Sequence, residues 1–291
     1  MNKRILVIGA NGMLGGSIFR YFSQVTDVEV LGSVRNNAAA DLLAKQGFKN
    51  VISGVDVRDH KRLQDVFNEF KPHIVFNCVG LIKQLNDSKN PISAIEINAL
   101  LPHRLASLAT QVSGKLIHFS TDCVFSGQKG GYLETDTPDA TDIYGRSKLL
   151  GEVDYGGHLT LRTSIIGHEI HSNLSLVDWF LSQSGSVNGF SKAVFSGLPT
   201  CYVAEFCHKF IFDKTDLAGL YHLSVDPIDK FTLLKLVKEI YNHNVNITEK
   251  SDFVIDRSLS SQRLVDATGF VPPTWFDLIK RMHNEYQQYF A

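Results

Sequence analysis

An α/β fold built on a doubly wound parallel sheet, with a smaller C-terminal lobe, is predicted by three observations. First, short apolar runs alternate with amphipathic stretches through residues 1–165, the rhythm of βαβ units. Second, Ile5-Leu-Val-Ile8 and Ile74-Val-Phe76 are continuously apolar, as strands covered on both faces must be. Third, the first of these runs passes directly into Gly9-Ala-Asn-Gly12-Met-Leu-Gly15, a glycine loop that opens a helical pattern. Together they predict a Rossmann-type α/β domain over residues 1–165, a dinucleotide-binding architecture. Residues 166–291 form mainly a smaller substrate-binding lobe, with the chain returning to the sheet near 200–225.

Each element has its own signal. Strands are expected at Arg4–Ile8, Val28–Val34, Asn50–Ser53, His73–Cys78, Lys115–Ser120 and His158–Arg162, and helices between them at Met13–Gln24, Ala38–Gln46, His60–Phe70, Pro91–Val112 and Ile143–Val153. Past Arg162 the rhythm changes. Gly167–Gly197 reads as Gly/Ser-rich loops around one amphipathic helix at Leu176–Leu181, and Gly219–Val225 reads as a strand. Phe231–His243 and Phe276–Tyr289 are amphipathic, and Pro272-Pro273 breaks the chain just ahead of the second.

Composition narrows the function classes. The 291 residues are 44% hydrophobic and 20% charged with a net charge of -1, an ordinary globular balance. That charge offers no footprint for nucleic acid or an anionic membrane. No apolar stretch reaches the roughly 18–20 residues that span a bilayer. The four cysteines, Cys78, Cys123, Cys201 and Cys207, form no CxxC pair and suit a reducing compartment. The expectation is a soluble, cytoplasmic protein, a homodimer being the assembly considered.

The chemistry-bearing residues cluster at the predicted carboxyl ends of strands, where ligands bind in open α/β sheets. Gly9, Asn11, Gly12, Met13, Leu14 and Gly15 form the loop expected to receive a pyrophosphate. After the second strand, Gly32-Ser-Val-Arg35-Asn36 has no acid for a ribose 2′-hydroxyl and one Arg suited to a 2′-phosphate, so NADPH is expected, with NADH the alternative. Asp56 and Val57 follow the third strand, near an adenine, and Cys78, Val79 and Gly80 give a small-residue path past the cofactor. Ser120-Thr121 ends the fifth strand, where a hydroxyl can bond a carbonyl oxygen as charge builds on it. Tyr144 is the one tyrosine of nine with Lys four residues on, at Lys148. On a helix the two share a face, and an ammonium beside a phenol favours the phenolate, tuning the tyrosine for proton transfer.

GANGMLG at 9–15, FSTDCVFSG at 119–127, Glu134-Thr-Asp136, Tyr144-Gly-Arg-Ser-Lys-Leu-Leu-Gly-Glu152 and Arg162-Thr163 together resemble the extended short-chain dehydrogenase/reductases. Among these the chain is most similar to the dTDP-4-dehydrorhamnose reductases, closely over the first 165 residues and loosely beyond. The resemblance implies an NADPH-dependent reductase of a nucleotide-linked 4-keto-6-deoxyhexose, supplying an activated deoxysugar for surface polysaccharide. It implies that Lys148 bonds the nicotinamide ribose and lowers the pKa of Tyr144, that Tyr144 protonates the C4 oxygen, and that Thr121 polarises the carbonyl beside Ser120. Asn98 matches a structural asparagine ahead of the helix lining the cofactor. Arg263 is the candidate for the nucleotide diphosphate, with Lys83, Asp122 and Cys123 facing the sugar.

Two departures bear on the substrate. The loop Gly80-Leu-Ile-Lys83-Gln84-Leu-Asn-Asp lacks the acidic stretch usual in that reductase, so Lys83 or Gln84 can read a different sugar substituent. Cys123 stands where an aromatic residue is usual, and GDP-fucose synthase places a cysteine two residues after its strand-end hydroxyl. A bifunctional epimerase–reductase using Cys123 with His168 or His171 is therefore one alternative, against a buried thiol that merely fills space. A non-catalytic dinucleotide-binding regulatory subunit, as in the beta subunit of methionine adenosyltransferase, is another. His168 and His171 stand three apart, without a third ligand or the HExxH spacing, so no metal site is expected.

Overall fold

Burial on both faces fixes the central layer: Ile5, Leu6, Val7 and Ile8 are fully inaccessible, which requires helices on either side of that strand. The computed structural model describes residues 2–81, 90–170, 174–214 and 216–291. Its first part runs β1 (Lys3–Ile8), α1 (Met13–Phe22), β2 (Val28–Ser33), α2 (Asn37–Lys45), β3 (Val51–Ile52), α3 (His60–Phe70), β4 (Ile74–Asn77), α4 (Pro91–Ala94), α5 (Leu101–Gln111), β5 (Lys115–Thr121), α6 (Ile143–Leu150) and β6 (Leu159–Thr163). There follow β7 (Ile165–Ile166), α7 (Leu176–Leu181), β8 (Gly185–Phe190), β9 (Ala193–Phe195), β10 (Leu198–Pro199), α8 (Thr200–Phe210) and β11 (Gly219–His222). The chain closes with β12 (Ile228–Asp229), α9 (Lys230–Ile240), β13 (Val245–Lys250), β14 (Ile255–Asp256), α10 (Gln262–Thr268) and α11 (Trp275–Tyr289).

The main sheet has seven strands in the order β11-β6-β5-β4-β1-β2-β3, as the Rossmann-type reading requires. β1 pairs in parallel with both β2 and β4, placing Ile8 opposite Ser33 and Asn77. Winding reverses between β1 and β4, and the carboxyl edge at such a reversal is where ligands bind. Alternate side chains of β4 serve opposite faces. Val75 joins Leu6, Ile8, Leu63, Phe67, Leu105 and Leu116 in one cluster. Phe76 stacks on Phe119 at 6.4 Å and lies 5.5 Å from Phe22. Local chemistry starts the helices: Asn36 caps α2 through Ala39 N, Asp59 caps α3 through Arg62 N, and Asp142 caps α6 through Gly145 N.

The chain forms two compact units, residues 1–120 with 141–161 and 204–220, and residues 121–140 with 162–203 and 221–291. In the second, β8 and β13 pair in parallel, and β9 takes β12 antiparallel and β14 parallel. Val177, Phe180, Leu233, Val237, Ile279 and Met282 form its apolar core.

Four expectations need correction. Gly185–Phe190 and Ala193–Phe195 are strands, not loops; Gly and Ser obscured their alternation. The third strand is only Val51–Ile52, and α6 stops at Leu150. Most consequentially, the expected helix Pro91–Val112 is broken by a π-helical segment at Ile95–Leu100. Pro102, in the first turn of α5, has no N–H, so the Asn98 carbonyl lacks its usual i+4 donor. A Cβ on Gly151 would lie 1.9 Å from that carbonyl oxygen, so α6 can end there only on glycine. Gly151→Ala is expected to cost about 1–3 kcal/mol through overpacking, read as a lowered Tm. An unchanged Tm would contradict the close approach.

Candidate active site

The glycine loop leaves β1 at Gly9, whose φ of +86° is the left-handed region that glycine occupies freely. A Cβ on Gly9 would meet Val79 Cγ2 at 2.7 Å, and one on Gly15 would meet Gly9 O at 2.1 Å. These two glycines therefore let the loop after β1, the first turn of α1 and the segment after β4 approach one another. Gly12 differs: a Cβ there meets only Gly9 O, at an ordinary 3.5 Å. Among the described residues nothing packed against Gly12 demands glycine there, which fits a position kept small for a ligand. Gly12 is also the N-cap of α1 and offers no side-chain cap, so the amides of Met13 and Leu14 stand at an uncapped, positive helix end. Asn11 and Met13 are half-buried and Leu14 is buried at this loop. The cradle fits a dinucleotide pyrophosphate.

At the ends of β2 and β3, Arg35 is exposed, and the Asp56 carboxylate takes a bidentate pair of bonds from Arg58, 3.0 Å from Nε and 2.6 Å from Nη2. Arg58, with Arg35 adding a smaller effect, holds Asp56 down at about 2. Val57 packs against the main apolar cluster. Beyond β4, Cys78 is buried enough to push its thiol well up, and Gly80 approaches the Asn98 side chain and Lys148.

Tyr144 and Lys148 lie one turn apart on α6. Lys148 is only 6% exposed and its Nζ donates to the Phe119 carbonyl at 2.6 Å. Burial lowers it to about 8, against the opposing pull of Glu152 and Cys78. The helix itself is pinned from below: Asn98 Nδ2 donates to Ser147 Oγ at 3.2 Å, and Asn98 Oδ1 accepts from Leu81 N at 2.9 Å. Thus the π-helical turn presents Asn98 to α6 and to the chain beyond Gly80. Ser120, read from sequence as a partner to Thr121, turns its hydroxyl to Glu152 Oε1 at 2.7 Å.

Within the second unit, Thr121 caps the short 3₁₀ turn Asp122–Val124. Its Oγ1 accepts from Cys123 N and donates to Asp122 Oδ1, both at 3.1 Å. Burial raises Asp122, opposed first by Arg257 and then by hydrogen bonds from Cys123, Thr121 and Ser164. Burial and the Asp122 charge push Cys123 up to about 12. Arg257, anchored by its Nε on the Phe125 carbonyl at 2.9 Å, is the cation acting on this turn. Arg263, the sequence candidate, is exposed with its guanidinium 4.7 Å above the Tyr221 ring. Lys83, Gln84 and His171 lie outside the described residues. His168 is a satisfied buried histidine, bonded to Asp178 Oδ1 at 2.5 Å and to Tyr241 OH at 2.8 Å. Among the described residues no group of three or more His, Cys, Asp or Glu is placed to hold a metal ion.

Sequence reading did not single out Ser147, Glu152 or Arg257. Glu152 carried a usable signal, four residues past Lys148 as Lys148 is past Tyr144. Arg257 carried none, since its position is set by β14.

A glycine-lined crossing at the winding reversal of this sheet defines a Rossmann-type dinucleotide-binding protein. The chain belongs to the family described as RmlD substrate binding domain, which matches residues 3–288. It is 24% identical over 275 residues to methionine adenosyltransferase 2 subunit beta of Danio rerio, covering 85% of this chain and 78% of that protein. The match to the Bos taurus subunit spans 42% of its length. A dTDP-4-dehydrorhamnose reductase of Aggregatibacter actinomycetemcomitans is 26% identical over 234 residues, 77% of this chain and 74% of that one. The fold is shared with the dTDP-4-dehydrorhamnose reductase of Bacillus anthracis solved in complex with NADP, at a TM-score of 0.79, 22% identity and coverage of 98% and 99%.

A thiol held up at about 12 is almost wholly protonated near neutrality. Mass mapping after N-ethylmaleimide treatment at pH 7.5 should show Cys123 unmodified in the folded protein and modified in urea. Rapid labelling of folded protein would show a thiolate and contradict the burial argument.

Proposed function

We propose that this chain is an NADPH-dependent reductase of a nucleotide-linked 4-keto-6-deoxyhexose, of the dTDP-4-dehydrorhamnose reductase type, and that its product is an activated deoxysugar for surface polysaccharide. The observation that carries the reading is the buried Lys148 ammonium, one helical turn from Tyr144 and tied to a main-chain carbonyl of the fifth strand. A buried cation is costly, and folding retains it here beside a cradle suited to a dinucleotide. The cofactor, when bound, supplies the hydride. Gly9, Asn11, Gly12, Met13, Leu14 and Gly15 hold its pyrophosphate, Arg35 its 2′-phosphate, and Asp56, Val57 and Cys78–Gly80 flank its adenine and ribose.

The remaining work is proton delivery. Lys148 favours the phenolate and holds the ribose, and Tyr144 gives its proton to the sugar oxygen. Thr121 is the candidate for polarising the carbonyl, its hydroxyl then turning away from Asp122 Oδ1, its acceptor in this structure. The candidate contacts to the nucleotide sugar are Arg263, Asp122 and Cys123 of the second unit, and Lys83, which lies outside the described residues. A homodimer in the cytoplasm completes the proposal, and no helix among the described residues is long and apolar enough to cross a membrane.

Two alternatives fare less well. Epimerisation with Cys123 as the base needs a thiolate, against a thiol raised to about 12, and His168, a candidate partner, is already bonded to Asp178 and Tyr241. A regulatory dinucleotide-binding subunit is supported by the name that several relatives share, but it needs no buried lysine beside a tyrosine.

Tyr144→Phe is expected to lose about 10²–10⁴-fold in kcat, the contribution of a positioned proton donor, with NADPH affinity unchanged. Full turnover in that variant would refute the mechanism. Lys148 gives a second test through pH. It acts as a cation and is lowered from 10.5 to about 8, so kcat/KM should fall as pH rises through about 8. Stability moves the opposite way: between about 8 and 10.5 only the unfolded chain binds this proton, so burial costs less as pH rises. Parallel pH–rate and thermal-unfolding profiles check both signs, and a flat rate profile to pH 10 would count against Lys148.

A further inference from the structure

The middle of the sheet holds a polar pair that apolar strands would not need. Asn77 ends β4 and His118 sits opposite it on β5, 1% and 0% exposed. Their side chains meet at 3.1 Å, Asn77 Nδ2 to His118 Nδ1. The other end of the amide settles the direction of that bond. Asn77 Oδ1 takes the Val79 N–H at 3.2 Å, and a backbone N–H can only donate. Nδ2 must therefore face the imidazole and donate to Nδ1, leaving the ring proton on Nε2. Burial and the charges of Lys148 and His103 keep the ring neutral. Its Nε2 has no hydrogen-bond partner among the described residues, a cost that an aliphatic side chain would avoid.

What the pair holds is the turn after β4. Val79, whose amide Asn77 fixes, is the residue that Gly9 packs against, with only 2.7 Å between Val79 Cγ2 and a Cβ built on Gly9. The chain of contacts runs from His118 through the Asn77 amide and Val79 N to the glycine loop. Without an acceptor at the Nδ1 position, the Asn77 amide loses what selects its orientation, and the Val79 amide loses its anchor.

We infer that His118 is a positioning residue for the dinucleotide, acting through Asn77 to hold the Cys78–Gly80 turn against Gly9. This rests on the NADPH reading above and adds a residue two strands removed from the loop. It is tested by NADPH titration, following cofactor fluorescence, on the intact protein and three variants, with Tm measured alongside. His118→Leu removes the acceptor; His118→Asn keeps an acceptor one bond from Cγ, where Nδ1 stands; His118→Gln moves it outward. The dissociation constant should rise about tenfold for Leu and Gln, the scale of one buried hydrogen bond, and stay within about threefold of the parent for Asn. A purely structural role would lower Tm in all three and leave the dissociation constant alone. If the Leu variant does not fold, the Asn and Gln pair decides, and equal affinities overturn the inference. Failure of the parent chain to bind NADPH would sink the cofactor reading and this inference with it, whereas parent-like binding by every variant would sink this inference alone.

Discussion

A lysine ammonium buried under the carboxyl edge of the sheet constrains much of the surrounding structure. Lys148 reaches a main-chain acceptor, the Phe119 carbonyl, at 2.6 Å. A desolvated cation tolerates little displacement from such a partner, since the cost of stranding it exceeds the value of the bond itself. Its helix is therefore fixed at both ends. Asp142 caps the start of α6, Asn98 grips Ser147 in its middle, and Gly151 ends it against the Asn98 carbonyl. The π-helical turn follows from the same need, for it supplies both the side chain and the carbonyl that α6 leans on.

The second constraint is steric and lies at the winding reversal. Gly9 and Gly15 remove side chains so that the loop after β1, the start of α1 and the turn after β4 come within contact distance. The parallel register that sets Ile8 beside Asn77 brings those segments to one edge. Main-chain donors and small residues shape the cradle, and the buried polar pair behind it supports the turn. Electrostatics at the adenine end are simpler: Arg58 occupies the Asp56 carboxylate while Arg35 remains exposed.

Sequence made the sheet legible because its signals are local. Ile5-Leu-Val-Ile8 announced a strand covered on both faces, and its passage into Gly9 placed the loop. Tyr144 and Lys148 were legible through their spacing of four, which places both on one face of a helix. What sequence hid were features made by distant partners. A break in Pro91–Val112 depends on Pro102 and on Gly151 nearly fifty residues later. Ser120 looked like a companion to Thr121, yet its hydroxyl goes to Glu152. His118 was not singled out, and only its pairing with Asn77 gives it meaning. The β8–β13 ribbon escaped because Gly185-Ser-Val-Asn-Gly breaks the alternation by which strands are read.

The central claim is that this chain delivers hydride and proton to a sugar carbonyl. Its most direct test is incubation with NADPH deuterated at the transferable C4 position and a panel of dTDP-, UDP- and GDP-linked 4-keto-6-deoxyhexoses. The account predicts cofactor oxidation with at least one of them, and NMR should find the label on C4 of that sugar. Tight NADPH binding with no oxidation across the whole panel would contradict it and favour a regulatory dinucleotide-binding subunit.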